Sequence, residues 1–146
     1  MLSSSLQETQ KLGANLARKL KGNEIVLLSG ILGAGKTVFI RGLAKNLKVT
    51  SPITSPTFNI FRVYDCLIPE SKTKAQLYHF DAYRLKKYAD LLTIGWKDIL
   101  AEENSIILLE WPECISDKDL AKIKNRKIIQ VTIQLKNAKE RLIEIL

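Results

Sequence analysis

Apolar and polar positions along the chain change period several times, and each change marks an element. Leu6, Leu12, Leu16, Ala17 and Leu20 recur at helical intervals, which predicts a helix packed on one side, with Ser3 to Ser5 able to cap its start and Gly22 to end it. Glu24 to Leu28 reads as a buried strand, and Val38, Leu43, Ala44 and Leu47 return to helical spacing over Thr37 to Leu47. Lys48 to Thr57 holds two prolines and five hydroxyl residues, which rules out helix and predicts an ordered surface loop.

Phe58 to Tyr64 alternates like a strand, Ala75 to Phe80 forms a second, and Leu67 to Thr73 connects them. Asp81 to Leu85 closes that strand and leads into a helix expected to end near Gly95. Ser105 to Glu110 is a continuous apolar run tipped by a carboxylate and stopped by Trp111-Pro112, the form of a buried parallel strand. A short helix over Asp117 to Lys124 follows. Ile128 to Leu135 and Arg141 to Leu146 then make a terminal hairpin around Lys136 to Glu140. The fold class expected is α/β: a P-loop NTPase-like three-layer sandwich with a mixed sheet, parallel in the core and antiparallel at the edge strands.

Chemistry enters between the first buried strand and its helix. Gly30-Ile31-Leu32-Gly33-Ala34-Gly35-Lys36-Thr37 fits the GxxxxGKS/T phosphate-loop pattern without a mismatch, in the strand-to-helix context that pattern requires. Glycines let successive backbone N–H groups turn inward around an anion, and the following helix adds the positive end of its dipole. Lys36 would reach the β- and γ-phosphates of ATP, and Thr37 would offer its hydroxyl to a bridging Mg²⁺. The bland alternative is a glycine-rich turn carrying a solvated lysine.

A phosphate-bound Mg²⁺ calls for further negative charge, and two strand-end acids offer it. Glu110 follows four aliphatic residues, as a Walker B acid does, and could hold the ion through water or orient the attacking water; Asp81 could share that work. The alternative for either is a helix cap or an ion pair with Arg84. Thr57, in Ser55-Pro56-Thr57-Phe58, is either a switch-type hydroxyl on the γ-phosphate side or part of a proline-rigidified turn. The lone histidine, His79, faces the same cleft if its side chain alternates away from Phe80; otherwise it is a packed strand residue.

At 146 residues, with 46% hydrophobic and 26% charged, the chain is expected to be one domain spanning 1–146. It has no apolar run near the ~20 residues a membrane helix needs. Met1 to Ser5 lacks the basic and apolar regions of a secretory signal, so a cytoplasmic setting is expected. Cys66 and Cys114 lie 48 positions apart without a CxxC, which leaves neither a zinc site nor a redox pair. A net charge of +8 suits a protein that works beside an RNA, but equally a lysine-rich soluble surface, and no aromatic-interleaved basic motif accompanies it.

In that order and spacing, Gly30 to Thr37, Ser55 to Phe58, Tyr78-His79-Phe80-Asp81-Ala82-Tyr83-Arg84-Leu85, Gly95 and Glu110-Trp111-Pro112-Glu113 resemble the TsaE family, formerly YjeE, over roughly residues 6 to 146. The resemblance implies a small, weak ATPase that joins the proteins TsaB and TsaD, which form threonylcarbamoyladenosine beside the anticodon of tRNAs reading codons that begin with A. It implies ATP at the junction with those partners, hydrolysis that resets the complex, and contact with tRNA only through it. Position by position, Lys36 and Thr37 become the phosphate and metal residues, Thr57 belongs to the switch-like loop, and Asp81 and Glu110 are the acids. Ile31 departs from the family, which commonly has Asp there. The backbone cradle needs no side chain at that position, so the departure bears on contacts in the assembled complex and on the hydrolysis rate.

Two other classes compete. A small-molecule kinase shares the phosphate loop but should add an arginine-rich lid, for which Leu67 to Thr73 is short and lacks arginine. A non-catalytic clamp would use ATP only to hold a partner-binding shape. A GTPase is disfavoured, since nothing matches the NKxD guanine-reading motif.

Overall fold

The two continuous apolar runs of the sequence become the two central strands. In the computed structural model, which describes residues 1–56 and 59–146, β2 (Glu24–Ser29) and β5 (Ser105–Glu110) pair in parallel and are buried at nearly every position. Such burial on both faces needs helices on both sides.

Around this pair the described strands are β1 (Leu2–Ser3), β3 (Phe61–Leu67), β4 (Lys74–Asp81), β6 (Lys127–Leu135) and β7 (Arg141–Ile145). They form one sheet in the order β1-β7-β6-β2-β5-β4-β3. The strands β6, β2, β5 and β4 run parallel, whereas β1, β7 and β3 join antiparallel at the edges. This is the mixed α/β sandwich expected.

On one face α1 (Leu6–Ala17) and α2 (Lys36–Asn46) cover Val26, Leu28, Leu77 and Leu108. On the other, α3 (Tyr88–Leu92), α4 (Trp96–Ala101) and the segment carrying α5 (Asp117–Ala121) cover Ile25, Leu27, Phe80, Ile107 and Leu109. No helix among the described residues is long and apolar enough to cross a membrane. Cys66 and Cys114 are free and buried, and burial pushes both thiols up to about 11.

Several boundaries differ from the sequence expectation. The core stripe of α2 is Phe39, Ile40, Leu43 and Ala44, with Val38 only half-buried, because α1 and the sheet both press on the helix. Leu6 stays exposed while Leu16, Ala17 and Leu20 are buried. The first strand of the β3–β4 hairpin starts at Phe61 rather than Phe58 and runs on to Leu67, its register set by Phe61 opposite Phe80. Phe58 itself lies outside the described residues. Ile68 to Thr73 closes the hairpin through Ile68 N donating to Thr73 O and Lys72 N to Ile68 O.

Gly95 does not end one helix but opens a second: with φ 88° it N-caps α4, so the segment after Asp81 splits into α3 and α4. The helix expected over Asp117 to Lys124 stops at Ala121 behind a reciprocal Ser116–Asp119 cap. Strand β1 is two residues long, too short for any periodicity to show.

Candidate functional site

Between β2 and α2 the chain turns through Gly30, Gly33 and Gly35, all with positive φ. At Gly30 (φ 152°) a Cβ would lie 2.6 Å from the Ile133 carbonyl oxygen of β6, so the loop must pass against that strand without a side chain. Gly35 N-caps α2 with no side-chain hydrogen bond. The first amides of this helix therefore point at the loop's interior, the arrangement that binds phosphate. Ile31, Leu32 and Gly33 are exposed at the tip and Ala34 is buried.

Beneath the loop sits a residue that sequence reading did not single out. Arg141, the first residue of β7, is buried and donates from Nε to the Ala34 carbonyl at 3.0 Å, with the Gly35 backbone packed on its guanidinium. It braces the loop from across the sheet. Nothing in the chain's local pattern distinguishes it from other strand-edge basic residues.

Lys36 folds back into the cradle. Its Nζ donates to the carbonyl oxygens of Gly30 (2.5 Å) and Ile31 (3.1 Å) and lies 3.9 Å from the centroid of the Trp111 ring, a cation–π distance. Burial holds its pKa below the ordinary lysine value, and the charges of Glu110, Asp81 and Glu113 oppose that shift. Thr37, one residue on, is exposed at the mouth.

The acids arrive by register. Parallel pairing sets Asp81 of β4 opposite Glu110 of β5, and Glu110 opposite Leu28 at the end of β2. Side chains two apart share a face, and Leu77 and Leu108 lie in the core layer beneath α2. His79, Asp81 and Glu110 therefore turn to the side that carries the phosphate loop. Glu110 is 6% exposed and its Oε1 lies 2.7 Å from Nε2 of His79, which is 1% exposed. Nδ1 of His79 is buried with no partner among the described residues.

Asp81 is bound differently, accepting from the Tyr83 amide at 3.0 Å and from the Ser55 hydroxyl at 3.2 Å, which ties the 48–56 loop to the strand tip. The Arg84 ion pair that competed with a site role does not form; among the described residues the carboxylates in contact with basic side chains are Glu110, on the His79 ring, and Asp119, on Lys122. Thr57 lies outside the described residues.

Trp111, left without a role at the sequence level, ends β5 in a left-handed conformation (φ 57°). It stacks edge-on against Tyr83 with centroids 5.0 Å apart, its ring standing over Lys36. A cleft of about 320 Å³ opens beside it, lined by Leu32, Ile60, Asp81, Tyr83 and Arg84 among others. Among the described residues no group of three or more His, Cys, Asp or Glu could hold a metal ion by itself. One hydroxyl and two carboxylates at a phosphate cradle fit a Mg²⁺ that completes its shell with phosphate oxygens and water.

The family model described as "Threonylcarbamoyl adenosine biosynthesis protein TsaE" matches residues 3–143. The chain belongs to the TsaE family. Relatives include the tRNA threonylcarbamoyladenosine biosynthesis protein TsaE of Rickettsia felis, 34% identical over 147 residues, 100% of this chain and 78% of that protein. That of Rickettsia typhi is 34% identical over 97% of this chain and 90% of its own length. The Aquifex aeolicus protein is 36% identical over 77% of this chain and 76% of its own. Among solved structures, Bacillus YdiB superposes with a TM-score of 0.69 at 25% identity, covering 98% of this chain and 80% of that one. The TsaE match contains the phosphate loop, both strand tips and Arg141, and it sets the chain in tRNA threonylcarbamoyladenosine biosynthesis.

Proposed function

We propose that residues 1–146 act as one P-loop ATPase unit that binds ATP with Mg²⁺ in the Gly30 to Thr37 cradle. On this reading it hydrolyses ATP weakly alone and faster with TsaB and TsaD. Hydrolysis resets their complex as it forms N6-threonylcarbamoyladenosine next to the anticodon of tRNAs reading codons that start with A. The observation that carries this reading is the convergence, from three separate elements, of Lys36, Asp81 and Glu110 on one mouth of the glycine turn.

In this mechanism the amides of Ile31, Leu32, Gly33, Gly35 and Lys36 enclose the phosphate tail, with that of Ala34 held to the Ile31 carbonyl, and Lys36 exchanges its two carbonyl acceptors for phosphate oxygens. Thr37, through its hydroxyl, and Asp81 and Glu110, directly or through water, are the residues that would hold the metal. Bound there, Mg²⁺ would neutralise charge on the β- and γ-phosphates. His79 fixes one oxygen of Glu110, leaving the other to orient the attacking water. Thr57 is proposed as the switch hydroxyl of the adjoining loop.

A kinase reading is disfavoured by the Ile68 to Thr73 connection, which is taken up by its own backbone hydrogen bonds and supplies no arginine lid. The deciding experiment compares threonylcarbamoyl transfer over many turnovers, with TsaB and TsaD present, for wild type and Lys36→Ala. We expect the variant to fall by about 10²-fold or more, the loss of a charge-stabilising group in a phosphoryl-transfer site. Undiminished turnover in the variant would overturn the reading.

A further inference from the structure

The positive charge of this chain is not spread evenly. Residues 1–48 carry eight Lys and Arg against two Asp and Glu, so they hold six of the eight net positive charges, while residues 49–146 hold 15 against 13. Of the two early acids, Glu24 is buried and accepts three backbone amides, and Glu8 accepts the Ser4 amide at the start of its own helix. On the outer surface of these two helices α2 carries no acid and α1 carries only Glu8.

Packing turns that surface into a groove. A Cβ at Gly42 would lie 1.9 Å from the Gln10 carbonyl oxygen, and one at Gly13 would lie 2.1 Å from that of Phe39. The two helices therefore cross at backbone contact, and the long side chains flanking the crossing stand up as walls. The groove between them, about 370 Å³ and open to solvent, is lined by Lys11, Lys45 and Lys48 and by the carboxamides of Gln7, Gln10 and Asn46; its described lining holds no carboxylate, aromatic or large apolar residue. Arg41 and Lys45 lie four apart on α2 with Lys48 just past its C-cap, and Lys11 and the C-cap Arg18 lie seven apart along α1, all exposed.

The geometry points to this groove as a docking surface for the sugar–phosphate backbone of RNA. Lysines that share this groove with no carboxylate match a polyanion, although Glu8 lies one turn from Lys11 and Lys48 also borders Asp65 and Glu103 on its far side; carboxamides supply both donors and acceptors for phosphate and 2′-hydroxyl groups. The want of aromatic and large apolar side chains in the lining argues against base stacking and against insertion into a lipid surface. Contact is thus to backbone, without sequence preference. The groove sits at the C-terminal end of α2 and the phosphate loop at its N-terminal end, about 16 Å apart at 1.5 Å per residue over 11 residues. An RNA seated here leaves the nucleotide mouth open. The inference rests on the proposed function only in choosing tRNA as the probe.

The test measures fluorescence anisotropy of a labelled tRNA transcript with the full chain across a salt series. Lys11→Glu/Lys45→Glu/Lys48→Glu is compared with Lys97→Glu/Lys118→Glu/Lys124→Glu, the same charge change on the opposite helical layer. We expect the groove variant to bind at least tenfold more weakly and its log K against log salt slope to fall by about two, as for three lost phosphate contacts. The control variant should stay within about threefold of wild type. Both variants should keep wild-type ATP hydrolysis, which separates this inference from the phosphate-loop reading. Equal weakening in the two variants would reduce the effect to net charge and overturn the assignment. So would polyglutamate binding to wild type as tightly as tRNA does, or wild type failing to bind tRNA at 0.1 M salt.

Discussion

The phosphate loop and the strand-tip cluster across from it are built in opposite ways. The loop is made of eight consecutive residues whose backbone is proposed to do the binding, so its chemistry is local and its side chains matter mainly where they must be missing. The cluster of His79, Asp81, Glu110 and Trp111 comes from two strands 30 residues apart and exists only because β4 and β5 pair in one register. A one-residue slip of β4 would turn His79 and Asp81 to the opposite face, away from Glu110. A loop of this kind thus fails by overcrowding, and a cluster of this kind by losing orientation.

Three experiments sharpen that contrast, beginning with the loop, where both stability and affinity should fall. Gly30→Ala places a methyl group against the Ile133 carbonyl at 2.6 Å and forces a strained φ. Strain of this sort costs about 1–3 kcal/mol, which for a chain of this size lowers the melting temperature by about 2–10 °C. Nucleotide affinity should fall more than tenfold with it. Thermal melting with and without ATP checks this, and a variant that melts and binds as wild type does would show the loop to be more yielding than its packing indicates.

In the cluster, the expected signature is separation of rate from affinity. Glu110→Ala should slow hydrolysis by about 10²-fold while ATP affinity stays within about tenfold, or about 1.4 kcal/mol. His79→Gln should lower kcat by about tenfold with little change in KM, since it removes a positioning contact rather than the carboxylate. Steady-state kinetics with parallel calorimetry reads both. Equal losses of rate and affinity in either variant would make the pair a folding element instead.

The smallest effect is on pH. Because burial lowers the pKa of Lys36 from 10.5, the folded protein loses this proton at lower pH than the unfolded chain. The cost of burying the ammonium is present below that lowered pKa and is relieved as pH rises toward 10.5, so Lys36 alone makes stability rise over this window. Nucleotide affinity moves the other way, since phosphate needs the charged form. Titrating ATP affinity upward through the alkaline range below pH 10.5 should show a decline that Lys36→Arg, charged throughout, does not share. Matching profiles would remove Lys36 from the phosphate contacts.

The ways in which the sequence was legible follow the same division. Gly30 to Thr37 could be read outright, as could the strands Glu24–Ser29 and Ser105–Glu110, because double-sided burial leaves an unbroken apolar run. The carboxylate at the end of the second run was visible too. By contrast, His79 could be placed only conditionally, since alternation fixes which residues share a face but not which face meets α2. The brace from Arg141 and the ring of Trp111 over Lys36 gave no local sign, for each joins residues 75 or more positions apart. Gly95 was recognised as a breaker, but whether a glycine of positive φ ends one helix or opens the next depends on what the following residues bury, here Trp96 and Ile99.

What the chain determined by itself was the phosphate cradle, its α/β setting and the family, because these rest on short-range backbone conformation and on the period of burial. Tertiary structure alone decided that His79 holds Glu110, that Asp81 reaches Ser55 and that Arg141 supports the loop. Those contacts depend on strand register and on which helix covers which face, and these are settled by packing free energy summed over the whole core rather than by any one stretch of residues.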